Sequence, residues 1–369
     1  MTAERDIAGF ALAFASGTAL PVILPSLFSI HSPLTATILL AITGICTATL
    51  SHTIHRQSSS TTLRMLITLS GLFCGAVCAF TSGCIGIIDE AGGYADNIRG
   101  LGERLQDMIG SIPFENSQTN AIVKALICGE RSELDTQTKY IFRQSGASHI
   151  LALSGMHLGI IYAILKFFLH PIGNSRRAKI IESVIIMGIC SLYTVMTGAG
   201  ASIVRALIFI ILGEAASLSG RSHTTAGILS AAMIIHLTIC SEDIRNVGFQ
   251  LSYAAMVGIA YIFPHMNRLW PSESFDMTSR GLRWIWTAAC ISIACQITTG
   301  PIAYWYFGTF PKYFILTNLM AVPLVTLIIP GALAVTTLHS LGICPDLVTN
   351  LFESLVSSLT GCLTIISSL

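Results

Sequence analysis

Two residues able to do acid–base or nucleophilic chemistry, Ser154 and His157, stand three positions apart in an otherwise apolar stretch. On an α-helix this spacing puts both side chains on one face. A histidine beside a serine can act as the base for a nucleophile, although neither an acidic residue to orient it nor an oxyanion loop adjoins this pair. Three interpretations stay open: a hydrogen-bonded packing contact, part of a hydrophilic path, or an intramembrane hydrolase.

The same stretch holds further small and polar residues. His149 precedes the pair, and Gly155 and Gly159 have the small-xxx-small spacing that permits close helix approach or a local break. The sequence therefore marks 148–159 as the region with the most functional potential.

Other polar residues interrupt apolar blocks further along the chain. Arg205 and Glu214 occupy one block but are separated by roughly 13 Å of helical rise, so each needs a partner from another helix. The remaining candidates are Gln250, Ser252, Tyr253, Gln296, Thr298 and Asn318. Taken singly, each predicts an interhelical hydrogen bond. Together, on four or five helices, they predict a shared polar interior.

Several chemical functions have no motif in the sequence. There is no G-x-x-x-x-G-K-[ST] phosphate-binding loop and no H-x-H-x-D-H metal pattern. We therefore expect no ATPase or nuclease activity, no metal and no cofactor, and predict that the chain is not an enzyme.

The elements that position these residues must lie in a bilayer. Hydrophobic residues make up 53% of the 369 residues and charged residues 11%, against about 25% charged residues in a soluble domain. Many apolar blocks reach the roughly 20 residues that cross the hydrocarbon core. The composition predicts an all-α, polytopic integral membrane protein.

Ten or eleven transmembrane helices are predicted. They cover residues 7–30, 34–50, 63–88, 150–169, 180–197, 201–219, 225–240, 247–264, 284–307 and 314–338, and 347–368 either spans or lies at the interface. We divide the chain into N-terminal transmembrane helices (1–88), an outer-face amphipathic helical segment (89–149) and a transmembrane domain (150–369).

The short loops predict the orientation. With a cytoplasmic N-terminus, the outer loops carry only Arg245 and Lys312, and the segment 89–149 lies on the outer face. The inner side then carries Arg5, Arg56, Arg64, Arg176, Arg177, Lys179, Arg221, Arg268, Arg280 and Arg283. This is the expected excess of inner lysine and arginine.

Helical periodicity between Ile98 and Ile109 predicts an amphipathic helix, followed by helices over 118–128 and 134–145. This segment is either a helical cap on the membrane surface or a gating element.

Five stretches of the chain stand out as a set of motifs. They are ALICGERS at 125–132, FRQSGASHILALSGMHLG at 142–159, VGFQLSY at 247–253, QITTGP at 296–301 leading to YFG at 306–308, and NLMAVP at 318–323. Together they resemble the signature of the ComEC family of competence proteins. The resemblance covers about residues 95–340.

The resemblance implies a channel in the bacterial inner membrane that carries one strand of DNA into the cytoplasm during natural transformation. Single-stranded DNA is then the substrate, and a separate nuclease, a cytoplasmic ATP-driven motor and a second copy of the chain are further partners to consider. The matching pore candidates are Arg131, His149, Ser154, Gly155, His157, Arg205, Gln250, Ser252, Gln296 and Asn318.

Larger family members add an oligonucleotide-binding-fold domain and a metallo-β-lactamase-like domain, and neither is recognisable in this sequence. We therefore expect a short form of the family. An alternative function is a membrane scaffold or small-solute transporter that has kept the fold but not DNA transport.

Overall fold

A computed structural model describes residues 10–16, 18–19, 92–173, 175–218, 224–270, 277–308 and 310–369. All regular elements in these ranges are helical. The predicted spans 34–50 and 63–88 lie outside the described residues, and only a helical stretch at 10–16 and 18–19 represents the span 7–30.

Twelve helices follow from residue 92 onward within the described ranges. They are α1 (Gly92–Gly110), α2 (Ser117–Cys128), α3 (Thr136–Gln144), α4 (Ser148–Leu151), α5 (Gly155–Leu169), α6 (Arg176–Met196), α7 (Ala201–Leu218), α8 (Thr225–Ile239), α9 (Val247–Asn267), α10 (Met277–Phe307), α11 (Phe314–Ser340) and α12 (Asp346–Ser367).

Six of these helices are long and apolar enough to cross a membrane, which confirms the predicted all-α, polytopic membrane fold. They include α12, the stretch for which the sequence left both a spanning and an interfacial placement open. Helices α5 and α8, at 15 residues each, are shorter than the roughly 20 residues that a perpendicular span requires.

The predicted span 150–169 is wrong as one continuous helix. The short helix α4 ends at Leu151, and the backbone is extended at Ala152 and Ser154 before α5 begins at Gly155. At this break, Leu153 lies against Gly129, which is distant in sequence. Gly129 has the left-handed backbone conformation at the end of α2. A Cβ on Gly129 would be 2.4 Å from Leu153 Cδ1, so only glycine allows this approach.

Helices α1 and α2 form a hairpin that packs among the membrane helices. The Asn120 side chain donates to the carbonyl oxygens of Ile109, Gly110 and Ile112 at 3.1–3.2 Å, which closes the turn. Most residues of α2 are buried. They share one hydrophobic core with residues of α11 and α12.

Helix α2 is buried against α11 and α12, and the choice between a membrane-surface cap and a gating element for 89–149 stays a prediction. Its tip is fixed to the side of α12, where the Phe114 and Phe352 rings are 5.7 Å apart. Gly331 of α11 also approaches Phe352. The physical reason is that α2, unlike α1, is apolar over most of its circumference.

Glu214 obtains its partners from other helices, as its isolation in the sequence predicts. Its carboxylate accepts hydrogen bonds from Tyr162 at 2.7 Å and from Ser183, and it forms an ion pair with Lys166 at 3.0 Å. Lys166 also pairs with Glu182. A buried charge is tolerated when it is paired in this way, so the network fixes α5, α6 and α7 relative to one another.

Candidate functional site

Five helices that carry the predicted polar residues contact one another in a closed ring. Helix α5 contacts α7, α7 contacts α9, α9 contacts α10, α10 contacts α11, and α11 returns to α5. We call this arrangement the five-helix ring.

Four helices of the ring begin at the same end. Gly155, the first residue of α5, lies against Ala206 near the start of α7, and Arg205 bonds to Gly248 at the start of α9. The Thr317 hydroxyl in the first turn of α11 donates to Ser145, shortly before α4. We call this the N-terminal end of the ring. The four helix dipoles direct their positive ends toward it.

The Ser154–His157 pair caps α5. The Ser154 backbone N–H donates to His157 Nδ1 at 3.1 Å, and the Ser154 hydroxyl lies 3.0 Å from the same nitrogen. Because a backbone N–H is always a donor, Nδ1 accepts and the proton of the neutral ring is on Nε2. That Nε2 atom is buried and has no hydrogen-bond partner within the described part of the chain.

This geometry favours the capping interpretation over a catalytic pair. A catalytic histidine needs a group that orients its second nitrogen, whereas His157 Nε2 meets none among the described residues. What Nε2 offers is a buried N–H that can donate to an acceptor.

Arg205 of α7 is 1% exposed. Its Nη2 donates to the carbonyl oxygen of Gly248 at 2.7 Å. Its guanidinium carbon lies 5.5 Å from the centre of the Phe249 ring and 5.6 Å from that of Tyr253. Its Nε and Nη1 have no hydrogen-bond partner in the part of the protein that the structure describes.

Three side chains around Arg205 were not among the predicted pore residues. Tyr253 was noted only as a buried polar residue, and its hydroxyl is buried without a partner among the described residues. Phe249 and His236 were missed, although His236 is an ionisable residue within a predicted span, a signal that could have found it. His236 stacks edge-on against Phe249, and its Nε2 lies 2.7 Å from the Asp243 carboxylate.

The other predicted pore residues of the ring lie in local contacts within the helix bundle. Gln250 donates to the Ile244 carbonyl oxygen at 2.9 Å, and Ser252 is half-buried in the same helix. Gln296 is half-buried beside Gly300. Asn318 donates to Ser292 at 3.3 Å, while its Oδ1 is buried without a partner in the described ranges.

Helices α9 and α10 meet at another close approach. A Cβ on Gly258 would lie 2.4 Å from the Ala294 carbonyl oxygen. A π-helical turn begins at this glycine, covers Gly258–Ile262 and ends shortly before Pro264. A wider turn relieves the clash between a proline ring and the preceding carbonyl groups, and such turns are frequent at functional sites.

Arg131 and His149 lie beside the ring. Arg131 is exposed in the loop after Gly129, the residue that packs on Leu153. His149 is on α4 with its Nδ1 3.1 Å from the Gly146 carbonyl oxygen. In the same loop as Arg131, hydrogen bonds from Ser132 lower the pKa of the Glu130 carboxyl.

The described residues include no group of three or more His, Cys, Asp or Glu side chains that could hold a metal ion. Near the N-terminal end of the ring, the unpartnered buried atoms include the donors Arg205 Nε and Nη1, Tyr253 Oη and His157 Nε2. Such an arrangement attracts an acceptor, and the charge of Arg205 favours an anion.

The fold and site thus define a multi-pass α-helical membrane protein with polar residues grouped in a ring of helices. A family model described as "Competence protein" matches residues 126–369, so the chain belongs to the competence protein family, as its ComEC-type signature predicts.

Two curated relatives extend the comparison. The chain is similar to ComE operon protein 3 of Bacillus subtilis (strain 168), with 28% identity over 235 residues, 62% of this chain and 28% of that protein. It is also similar to Uncharacterized protein YcaI of Escherichia coli (strain K12), with 23% identity over 234 residues, 60% of this chain and 30% of that protein. The chain spans less than a third of the curated relatives it matches. No solved structure matches it significantly.

Proposed function

We propose that the five-helix ring forms the path along which single-stranded DNA crosses the bacterial inner membrane during natural transformation. Membership of the competence protein family supports a role in DNA uptake. The channel assignment goes further and is supported by the polar residues that the ring groups near one end.

The observation that carries the proposal is the common start of α5, α7, α9 and α11, with Arg205 one turn inside the start of α7. Each phosphate of DNA carries a negative charge, and a hydrated membrane path for it should place positive charge along its wall. Four helix N-termini and a buried guanidinium supply positive potential at this end.

The orientation follows from the opposite end of the ring. Helix α5 ends there, and α6 begins with the exposed residues Arg176, Arg177 and Lys179. Under the positive-inside rule these cations face the cytoplasm. The N-terminal end of the ring then faces outward, where an incoming strand arrives, and with the three spans predicted before residue 92 the chain's own N-terminus would be cytoplasmic.

The partners follow from what transport requires. Moving a polyanion inward needs energy, and the sequence has no phosphate-binding loop for ATP hydrolysis. We therefore propose a cytoplasmic ATP-driven motor and a separate nuclease that removes the other strand. A second copy of the chain is a further candidate partner.

A deletion strain tests the proposal with DNA carrying a radioactive label. We expect the strain to bind DNA at its surface but to accumulate no nuclease-resistant label inside, and the restored wild-type gene to recover uptake. Normal internalisation by the deletion strain would overturn the channel assignment. It would favour the alternative of a scaffold or small-solute transporter.

A further inference from the structure

Arg205 is a buried cation whose hydrogen-bonding capacity is mostly unused. Only Nη2 has an acceptor, the Gly248 carbonyl oxygen, while Nε and Nη1 have none among the described residues. Buried charges in proteins are normally paired and fully hydrogen-bonded, because desolvation is otherwise uncompensated. The guanidinium is therefore positioned for a partner that the described protein groups do not supply.

The aromatic neighbours hold Arg205 but do not replace that partner. Phe249 and Tyr253 attract the cation with their ring faces. A ring face does not accept in-plane N–H groups as an oxygen does. Asp243, whose charge acts on Arg205, has its carboxylate 2.7 Å from His236 instead.

Tyr253 adds a second unused donor at the same place. Its side chain is 5% exposed, and its hydroxyl has no hydrogen-bond partner in the described ranges. Its ring is one of the two that cover Arg205. The hydroxyl can donate one hydrogen bond, so a free O–H and free guanidinium N–H groups occur on two side chains that contact each other, with Tyr253 in the second turn of α9.

We propose that Arg205 and Tyr253 form an anion-binding site in which one phosphate group accepts hydrogen bonds from Arg205 Nε and Nη1 and from the Tyr253 hydroxyl. Planar guanidinium groups suit phosphate oxygens because they donate two parallel bonds. The N-terminus of α9 adds a favourable dipole. The cellular ligand, a backbone phosphate of the DNA strand, rests on the proposed function. Free inorganic phosphate would bind through the same donors.

Binding is tested on the purified full chain in phosphatidylcholine nanodiscs. Inorganic phosphate is titrated against gluconate at constant ionic strength, and binding is measured as a rise in Tm. We expect a saturable rise for the wild type and none for Arg205→Gln. Tyr253→Phe keeps the ring over Arg205 and loses only the hydroxyl, so its apparent Kd should rise roughly tenfold or more. Arg143→Gln removes an exposed charge outside the site and should titrate as the wild type does.

If phosphate raises the Tm of the wild type and of Tyr253→Phe equally, the site is overturned, even if Arg205→Gln does not fold. A wild type whose Tm does not respond to phosphate also overturns it. Uptake of labelled DNA by cells expressing each variant tests the ligand separately. Loss of both phosphate binding and uptake in Tyr253→Phe supports a DNA phosphate at this site. If Tyr253→Phe loses phosphate binding but imports DNA normally, the anion site stands and its place on a DNA path is rejected.

Discussion

The carboxylate of Glu353, in α12, accepts a hydrogen bond of 2.8 Å from the backbone N–H of Asn116, the residue that caps α2. It also accepts from the Glu115 N–H at 3.0 Å and from the Thr119 hydroxyl at 3.2 Å. One side chain thus satisfies donors around the turn of the α1–α2 hairpin, 237 positions away from Asn116 in sequence. The carboxylate connects the hairpin tip to the membrane helices.

We expect Glu353→Ala to lower the free energy of unfolding by roughly 1–3 kcal/mol, because the hairpin tip loses its hydrogen bonds to a charged acceptor. Glu353→Gln retains one acceptor oxygen and should lose less. Denaturant titration in detergent measures both, and Glu103→Ala, at an exposed position of α1, is the control. If Glu353→Ala and Glu103→Ala have the same stability, the carboxylate does not hold the hairpin.

The close approach of α9 and α10 at Gly258 gives a second prediction. Gly258→Ala would place a Cβ 2.4 Å from the Ala294 carbonyl oxygen and 2.8 Å from Thr298 Oγ1, so the helices must separate. We expect a loss of roughly 1–3 kcal/mol in the free energy of unfolding. Gly188→Ala, in α6, meets no atom within 4 Å and should be neutral or stabilising. Equal stability of the two variants contradicts this contact.

The membrane fold could be predicted from the sequence because it depends on local composition. In a bilayer, backbone groups must be satisfied within the segment, so long apolar blocks form helices. The helices α6, α7, α9, α10 and α11 accordingly agree with predicted spans to within a few residues, except that α10 begins earlier.

Features set by distant contacts were at most suggested by the sequence. The glycine spacing at Gly155 permitted a break without requiring one, and the break occurs where Leu153 packs on Gly129. The burial of α2 depends on α11 and α12. The sequence marked Arg205 as exceptional, but its aromatic neighbours lie on another helix and no periodic pattern connects them. The sequence therefore named single polar residues such as Arg205, whereas their grouping and the place of Phe249 beside Arg205 required the fold.

The cap of α3 gives a prediction about pH. Asp135 accepts hydrogen bonds from the Thr138 hydroxyl and from the Thr138 backbone N–H, and these bonds lower the pKa of its carboxyl below the ordinary value of 3.8. A depressed folded-state pKa contributes stability that is present above the unfolded-state pKa and lost as pH falls through the folded-state pKa. Below about pH 4, α3 should therefore exchange its amide hydrogens faster, relative to α2, than it does at pH 6.

Asp135→Asn is the matched control for this pH effect. Asparagine caps helices about as well as aspartate but does not titrate in this range. After correction for intrinsic exchange, the ratio of α3 to α2 exchange should not change between pH 6 and pH 3 in the variant. A wild type with the same flat ratio would exclude Asp135 as the titrating group.

Variants of Ser154 and His157 distinguish a capping role of the pair from a hydrolytic role. Ser154→Ala removes the hydroxyl but keeps the backbone N–H that donates to His157 Nδ1. If the pair is a cap, Ser154→Ala should cost roughly 0.5–2 kcal/mol of unfolding free energy, and the variant should retain DNA uptake. His157→Ala loses the acceptor and a fully buried ring, so it should cost roughly 2–4 kcal/mol. Thermal unfolding and uptake are measured on the same variants. A stable, normally expressed Ser154→Ala variant that imports no DNA would contradict a purely capping role and favour either a place on the hydrophilic path or nucleophilic chemistry at Ser154.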